Sequence, residues 1–239
     1  VIGTGTSGHD VAQDLAVSGA ASVTLVQRSP TLVVSLKEAQ APYALYDEEI
    51  PFEDKDLLAV SSPFPVYRRA HQMITEKNRI ADKAMLDGLE RRGFRLTSGE
   101  DGSGWQIMYQ SRGGGYYFDA GCSEMIVDGR VGLVQYDDIE RFGPDGAVMK
   151  DGSTLPADLI VLATGYEGQA ASARRILGDA VGDSIGKVWG FDEEGELHGM
   201  WRPTGQKGVW FHAGGLAQCR IFSKVLALQI KARELGMVP

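Results

Sequence analysis

Hydrophobic residues near the start of the chain recur at the spacing of a helix. Four of them share one face of residues 9–18, and Gly19 stands where helices commonly end, so the pattern predicts an amphipathic helix. The apolar run Val23–Val26 that follows predicts a buried strand. The four apolar residues of the helix are Val11, Ala12, Leu15 and Ala16.

The middle of the chain is less regular. Residues 30–65 contain proline breaks, an acidic patch and weak periodicity, which predict an irregular excursion with short helices. Residues 67–92 carry apolar residues at helical spacing and are followed by Gly93, which predicts one or two helices. Short apolar segments next to Asp-Gly turns predict three strands. The segments are Ile126-Val127, Val131–Val134 and Ala147–Met149.

The last third of the chain repeats the alternation of strand and helix. Leu159–Leu162 is apolar at every position, which predicts a parallel strand that is covered on both faces. Val209–Phe211 predicts another strand, and Gly214-Gly215 a tight turn. An apolar stripe then predicts a long terminal helix that packs on the core. Its residues are Ile221, Val225, Leu228, Ala232 and Leu235.

Composition excludes several classes of protein. The formal net charge of −8 over 239 residues argues against a nucleic-acid partner, since neutralising phosphates takes a concentrated basic face. No apolar run approaches the roughly 20 residues that span a bilayer. Cys122 and Cys219 are far apart in the sequence, which excludes a zinc ribbon and a local dithiol motif and suits a reducing compartment. We therefore expect a cytoplasmic protein.

A glycine-rich segment stands before the first predicted helix. Gly3, Gly5 and Gly8 fill the pattern G-x-G-x-x-G, in which the glycines allow a tight turn, close approach of a pyrophosphate and packing of helix on strand. The helix N-terminus then faces the phosphates. The alternatives are a glycine-rich turn without a ligand, or a nucleotide-type ligand such as that of a methyltransferase. The residues expected to bind the cofactor here are Gly3, Thr4, Gly5, Thr6, Ser7, Gly8 and Asp10.

The end of the next strand indicates which dinucleotide binds. Sites that prefer NAD place an Asp or Glu there for the ribose 2′-hydroxyl, whereas this chain has Gln27. Arg28 and Ser29 follow, and a guanidinium beside a hydroxyl suits the 2′-phosphate of NADP. The alternative is that Arg28 is an ordinary exposed loop arginine.

Four segments resemble the flavin-dependent monooxygenases of the flavin-containing and Baeyer–Villiger types. Gly3–Asp10 resembles their NADPH-binding motif, and Asp158–Tyr166 resembles the D-x(4)-A-T-G-Y linker through which the NADPH domain returns to the FAD domain. Gly113–Gly121 resembles a further segment of these families, and Gly214–Arg220 resembles their C-terminal closure of the FAD domain.

The resemblance implies an α/β fold with a Rossmann-like dinucleotide-binding domain in a flavoprotein that has two such domains. Residues 1–166 would bind NADP(H) and include a helical excursion at about 30–118, and residues 167–239 would return to the FAD domain. The Gly-rich turn for FAD is expected upstream of Val1, so the chain is expected to be a fragment. NADPH would reduce FAD, and O₂ would form a flavin C4a peroxide that transfers one oxygen atom to a small organic substrate.

The resemblance also suggests contacts at the end of each predicted domain. Ala163, Thr164, Gly165 and Tyr166 would lie near the nicotinamide, or would form a plain interdomain hinge. Gln218 and Arg220 would lie near the flavin, although Arg220 could instead pair with a carboxylate in packing. Asp10 could orient the loop or simply complement the helix dipole. We expect His9 to be structural rather than a cofactor contact, and Trp189, Trp201 and Trp210 to be core residues.

Two other functions remain open from the sequence. A pyridine-nucleotide disulfide oxidoreductase shares the plan of two dinucleotide domains, but it needs a redox-active cysteine pair that this chain lacks. A non-catalytic nucleotide-binding module or remnant is the other. No nucleophile–His–Asp set, metal cluster or carboxylate pair is evident, so no catalytic residue is assigned and the chemistry is expected from the flavin.

Overall fold

The computed structural model describes residues 1–238, which divide into two compact units. Unit 1 contains residues 1–42, 68–109 and 114–165, and unit 2 contains residues 43–67, 110–113 and those from 166 on. The sequence predicts that residues 1–166 bind NADP(H) and that residues 167–239 belong to the FAD domain. This assignment of cofactors stays a prediction.

The chain alternates helices with short strands. The helices are α1 (Thr6–Val17), α2 (Leu36–Gln40), α3 (Phe52–Val60), α4 (Phe64–Ala81), α5 (Lys83–Arg91), α6 (Gly104–Arg112), α7 (Cys122–Asp128), α8 (Gln169–Leu177), α9 (Asp179–Ile185) and α10 (Leu216–Glu234). The strands are β1 (Val23–Gln27), β2 (Leu32–Ser35), β3 (Tyr116–Asp119), β4 (Val131–Gln135), β5 (Ile139–Gly143), β6 (Gly146–Met149) and β7 (Thr154–Pro156). Ala41–Asp47 and Tyr136–Asp138 are 3₁₀ helices. Within the described residues no helix is both long and apolar enough to cross a membrane.

The first residues of the chain lie between parallel neighbours in unit 1. Ile2 bridges Val26 on one side and Leu162 on the other, and β1 pairs in parallel with β4 over its full length. The glycine-rich segment therefore begins directly after this bridged residue and runs directly into α1. This order does not conflict with a dinucleotide-binding α/β unit, and membership of that class stays a prediction.

The main core of unit 1 explains why α1, β1 and β4 form where the sequence predicts them. Ala12, Leu25, Ile126 and Val131 are each fully buried in one apolar cluster. The face of α1 that carries Ala12 is the face that the helical periodicity indicates. The strand predicted at Val23–Val26 is confirmed as β1, and residues 67–92 form two helices, α4 and α5.

Small sheets complete unit 1. β2 and β3 pair in parallel, and β5, β6 and β7 form an antiparallel meander. The turns predicted at Asp145-Gly146 and Asp151-Gly152 connect the strands of this meander, and both glycines have positive φ angles. The strand β2 lies within residues 30–65, where the sequence predicts only short helices and irregular chain.

Ile126-Val127 is not a strand, so that prediction is wrong. Both residues belong to α7, whose buried residues Cys122, Ser123, Met125 and Ile126 recur at helical spacing. Gly129, at φ 88°, caps the helix in the left-handed conformation and does not close a hairpin. Two apolar residues before an Asp-Gly pair are compatible with a strand that enters a hairpin and with the last turn of a helix. Packing against the core decides between the two.

The apolar run Leu159–Leu162 differs from its prediction as well. It forms only an isolated bridge at Leu162, and the Leu159 and Leu162 side chains are 65% and 70% exposed. The prediction of a strand covered on both faces is therefore wrong, because only Val161 of this run is half-buried and the other three residues are exposed. Val209–Phe211 likewise contributes a single bridge, between Phe211 and Met200.

Unit 2 has its own core around α10. The predicted long helix is confirmed, but its packed face carries Phe222, Leu226 and Ile230. Leu228 and Leu235 of the predicted stripe are 72% and 61% exposed, so the choice of stripe is wrong. Nearly every turn of α10 has apolar residues on more than one side. The periodicity of the sequence therefore does not show which side packs against the core. The core tryptophans are confirmed: Trp201 is buried, and Trp189 and Trp210 pack against the same cluster.

Candidate functional site

The glycine-rich turn directly follows the bridged residue Ile2. Gly3 has φ 118°, and a Cβ there would stand 2.2 Å from the carbonyl oxygen of Ala163. A Cβ on Gly8 would stand 2.1 Å from the carbonyl oxygen of Gly3. Real Cβ atoms do not approach oxygen this closely, so packing within the chain itself requires both glycines.

Gly5 differs from these two glycines. Its backbone, at φ −80° and ψ −174°, suits any residue, and the atom nearest to a Cβ there would be the Tyr116 carbonyl oxygen at 3.9 Å. Gly5 is the N-cap of α1, and no side chain caps this helix end. The space beside Gly5 is therefore open at a helix N-terminus, where the first backbone N–H groups favour an anion.

Two threonines hold the turn against β3 and the residue that precedes β2. The hydroxyl of buried Thr4 lies 2.7 Å from the Thr31 hydroxyl, and the Thr6 hydroxyl donates to the Tyr116 carbonyl at 3.3 Å. These bonds reach across 27 and 110 positions of sequence. Ser7 and Asp10 are exposed at the start of α1.

His9 is buried beneath the turn, as its structural interpretation predicts. Its ring stacks on Tyr117 with the ring centres 3.9 Å apart, and Nδ1 donates to the Gly5 carbonyl at 3.1 Å. Burial lowers the pKa of His9 to about 4, mainly because the charged imidazolium would lose its hydration. A neutral His9 therefore holds the carbonyl of Gly5 from inside the protein.

Gln27 differs from Arg28 and Ser29 in its burial and its hydrogen bonds. The Gln27 amide is fully buried, donates to the Arg95 carbonyl at 2.9 Å and accepts from the Arg95 N–H at 2.8 Å. Arg28 and Ser29 are exposed at the end of β1. The Arg28 guanidinium makes no hydrogen bond or ion pair with any described residue.

Ala163 of the predicted linker lies against the first glycine of the turn. Its N–H donates to the Ile2 carbonyl at 2.8 Å, and its own carbonyl faces Gly3. Thr164 and Gly165 are exposed, and Tyr166 is 100% exposed. Contact of these residues with a nicotinamide stays a prediction.

In unit 2, the two residues expected near a flavin have partners within the chain. Gln218 accepts a hydrogen bond from the Gly215 N–H and so caps α10. Arg220 forms two hydrogen bonds with Asp56, at 2.9 and 2.5 Å, and its guanidinium lies 4.5 Å from the Phe52 ring centre. This is the carboxylate pairing that the sequence left open. Contact of Gln218 and Arg220 with a flavin stays a prediction.

Sequence reasoning missed the residues that support the turn from a distance. Tyr117 stacks on His9, Thr31 bonds Thr4, and Arg95 is held by Gln27. The run Tyr116–Phe118 has the aromatic composition of a strand, which could have revealed β3. Nothing in the sequence could have placed that strand beside α1.

The cysteines do not form a redox pair. Both are free, and burial raises the pKa of the Cys122 thiol to about 12. A thiol with this pKa forms almost no thiolate at neutral pH. In the described part of the chain, no group of three or more His, Cys, Asp or Glu side chains is arranged to hold a metal.

The comparison with known proteins gives one distant relative. The chain is 25% identical over 169 residues to a protein of Acinetobacter baylyi named "probable FAD-binding monooxygenase AlmA". The match covers 70% of this chain and 33% of the relative, so the chain spans about a third of that protein's length. No family model matches the chain.

Proposed function

We propose that this chain forms the NADPH-binding part of an FAD-dependent monooxygenase that acts on a small organic molecule with O₂. The observation that carries the proposal is the open space at Gly5. Packing inside the chain accounts for Gly3 and Gly8, whereas nothing within 3.9 Å accounts for a glycine at position 5. A pyrophosphate against the backbone of Gly5 would supply the missing reason.

Charge supports the same ligand. The N-terminus of α1 has no side-chain cap, so its N–H groups remain suited to phosphate oxygens. The exposed and unpaired guanidinium of Arg28 suits a 2′-phosphate. NADPH therefore fits better than NADH, since the end of β1 offers a cation where an NAD site has a carboxylate.

The chain's own groups bind and orient the nucleotide. Thr4 and Thr6 fix the turn on β3 and the residue that precedes β2, and His9 holds the Gly5 carbonyl so that the N–H groups of α1 face outward. FAD, when bound, supplies the redox chemistry with O₂. Support for FAD comes from the name of the relative and from the family resemblance of the sequence.

The test compares nucleotide binding by single variants. Isothermal titration of the chain with NADPH is expected to give a saturable isotherm. Gly5→Val is expected to weaken binding more than tenfold, because its side chain would occupy the position of the pyrophosphate, while the urea unfolding midpoint stays close to that of the wild type. Unchanged binding by Gly5→Val, or no saturation by the wild type up to about 1 mM NADPH, would overturn the NADPH assignment.

Arg28 tests the choice of nucleotide. Arg28→Ala is expected to weaken 2′,5′-ADP about tenfold or more and to leave 5′-AMP unchanged, since only the former carries the 2′-phosphate. The matched control is Arg91→Ala, another exposed arginine of unit 1. Equal loss of both ligands would refute a preference for NADP.

Monooxygenase activity is tested separately. In a protein that joins this chain to its FAD-binding part, NADPH oxidation is expected to consume O₂, and Gly5→Val is expected to abolish it. If that FAD-loaded protein binds NADPH but consumes no O₂, the monooxygenase assignment fails while the nucleotide site stands.

A further inference from the structure

A cavity of about 270 Å³ lies in unit 1, away from the residues of the glycine-rich turn. Its walls come from β2, α4, α5, α6 and the segment 96–98. This volume is far larger than a single water needs and approaches the size of sites for small ligands. No feature of the proposed nucleotide site uses it.

One wall of the cavity is apolar. It contains Leu32, Leu86, Leu96 and the ring of Trp105. The Trp105 ring packs edge-on against Phe118 with the ring centres 4.8 Å apart, so the wall is held in place by β3. A rigid apolar wall suits a hydrocarbon or aromatic group.

Two buried polar side chains without protein partners also line the cavity. Asn78 and Thr75 lie one turn apart on α4, and the residues are only 7% and 8% exposed. Neither side chain hydrogen bonds to any described residue. Because buried polar groups usually have partners, these two offer hydrogen bonds to a molecule in the cavity.

Two opposite charges complete the lining. Arg79 on α4 and Glu90 on α5 are exposed, and neither pairs with the other or with any other described residue. The formal charge of the lining is therefore zero. An adjoining depression of about 280 Å³ shares Arg79 and adds Arg69, Glu76 and Asp101, so its formal charge is also zero.

We infer that this cavity binds a small zwitterion with an apolar body, of the amino-acid class. The carboxylate would pair with Arg79 and the ammonium with Glu90, while the apolar body lies against Leu86, Leu96 and Trp105. Asn78 would bond a polar atom of the ligand. The inference does not depend on NADPH or FAD.

The test uses three probes of similar size. Titration of the chain with L-phenylalanine is expected to saturate in the micromolar to millimolar range and to shift the indole N–H resonance of Trp105. Phenylacetate lacks the ammonium and phenethylamine lacks the carboxylate, so each is expected to bind at least about tenfold more weakly. Equal affinities for the three probes, no binding by any of them, or binding that leaves the Trp105 resonance unmoved would overturn the inference.

Charge variants locate the two ends of the ligand. Arg79→Gln is expected to weaken L-phenylalanine and phenylacetate but not phenethylamine, and Glu90→Gln is expected to weaken L-phenylalanine and phenethylamine but not phenylacetate. Both residues are exposed, so folding should survive the changes. Lys77→Gln, on α4 outside the lining, is the matched control and should change nothing. If Arg79→Gln affects the three probes alike, the assignment of the carboxylate to Arg79 fails, and with it the zwitterion.

Discussion

The backbone of Gly3 lies so close to Ala163 that a Cβ on Gly3 would stand 2.2 Å from the Ala163 carbonyl oxygen. The N–H of Ala163 donates to the preceding residue, Ile2, at 2.8 Å. The first residues of the chain and residues about 160 positions later therefore meet backbone to backbone. A side chain at position 3 would separate them.

Gly3→Ala is expected to lower the free energy of unfolding by more than about 2 kcal/mol, because it adds a severe contact at a φ angle that alanine rarely adopts. Gly5→Ala is the matched control and should cost less than about 1 kcal/mol, since its Cβ meets open space. Urea unfolding followed by circular dichroism measures both. Equal losses would show that the two glycines have the same role.

The stability of unit 1 should fall in mild acid. Burial lowers the pKa of His9 and of His71 to about 4, whereas an unfolded histidine titrates near 6.5. Between these values the unfolded chain binds more protons, so the free energy of unfolding decreases as the pH falls from about 6.5 to 4. At pH 5 each histidine should account for a loss of about 2 kcal/mol relative to pH 8.

His9→Gln separates the two contributions. It removes one titrating group, so the loss of stability between pH 8 and pH 5 should be smaller than in the wild type, measured by urea unfolding at each pH. An unchanged pH dependence would mean that His9 is not the buried neutral group that its stacking on Tyr117 indicates.

The pair of Asp56 and Arg220 should stabilise unit 2. Arg220 holds the pKa of Asp56 below its usual range through their hydrogen bonds. Asp56→Asn is expected to lower the melting temperature by a few degrees near neutral pH, and the difference from the wild type should shrink as the pH falls through the pKa of Asp56. Asp54→Asn, an exposed acid on the same helix α3, is the control. Equal melting temperatures for the Asp56 variant and the wild type would contradict a stabilising pair.

Cys122 should be unreactive in the folded protein. Its side chain is fully buried and burial raises its pKa to about 12, whereas Cys219 is partly exposed. Iodoacetamide at pH 8 is expected to modify one cysteine in the native chain and two in urea. Cys219→Ser should abolish native labelling. Rapid labelling of Cys122 without denaturant would contradict its burial.

Local patterns identified much of the secondary structure. The face of α1, the strand β1, the helical character of residues 67–92 and the Asp-Gly turns of the meander all depend on neighbours within a few residues. Where a short pattern suits two structures, as at Ile126-Val127, sequence reasoning chose wrongly. The core packing that makes this segment a helix comes from α1 and α5, which lie far away along the chain.

The sequence by itself determined the glycine-rich turn, its place between strand and helix and the cation at position 28, because these features depend on residue type and local spacing. Only the tertiary structure decided which glycine faces open space, which of the end-of-strand residues is free, and that Arg220 pairs with Asp56. The last two depend on contacts across 68 and 164 positions of sequence. Whether a side chain is free to bind a ligand depends on the residues packed around it, and the local sequence does not show which residues these are.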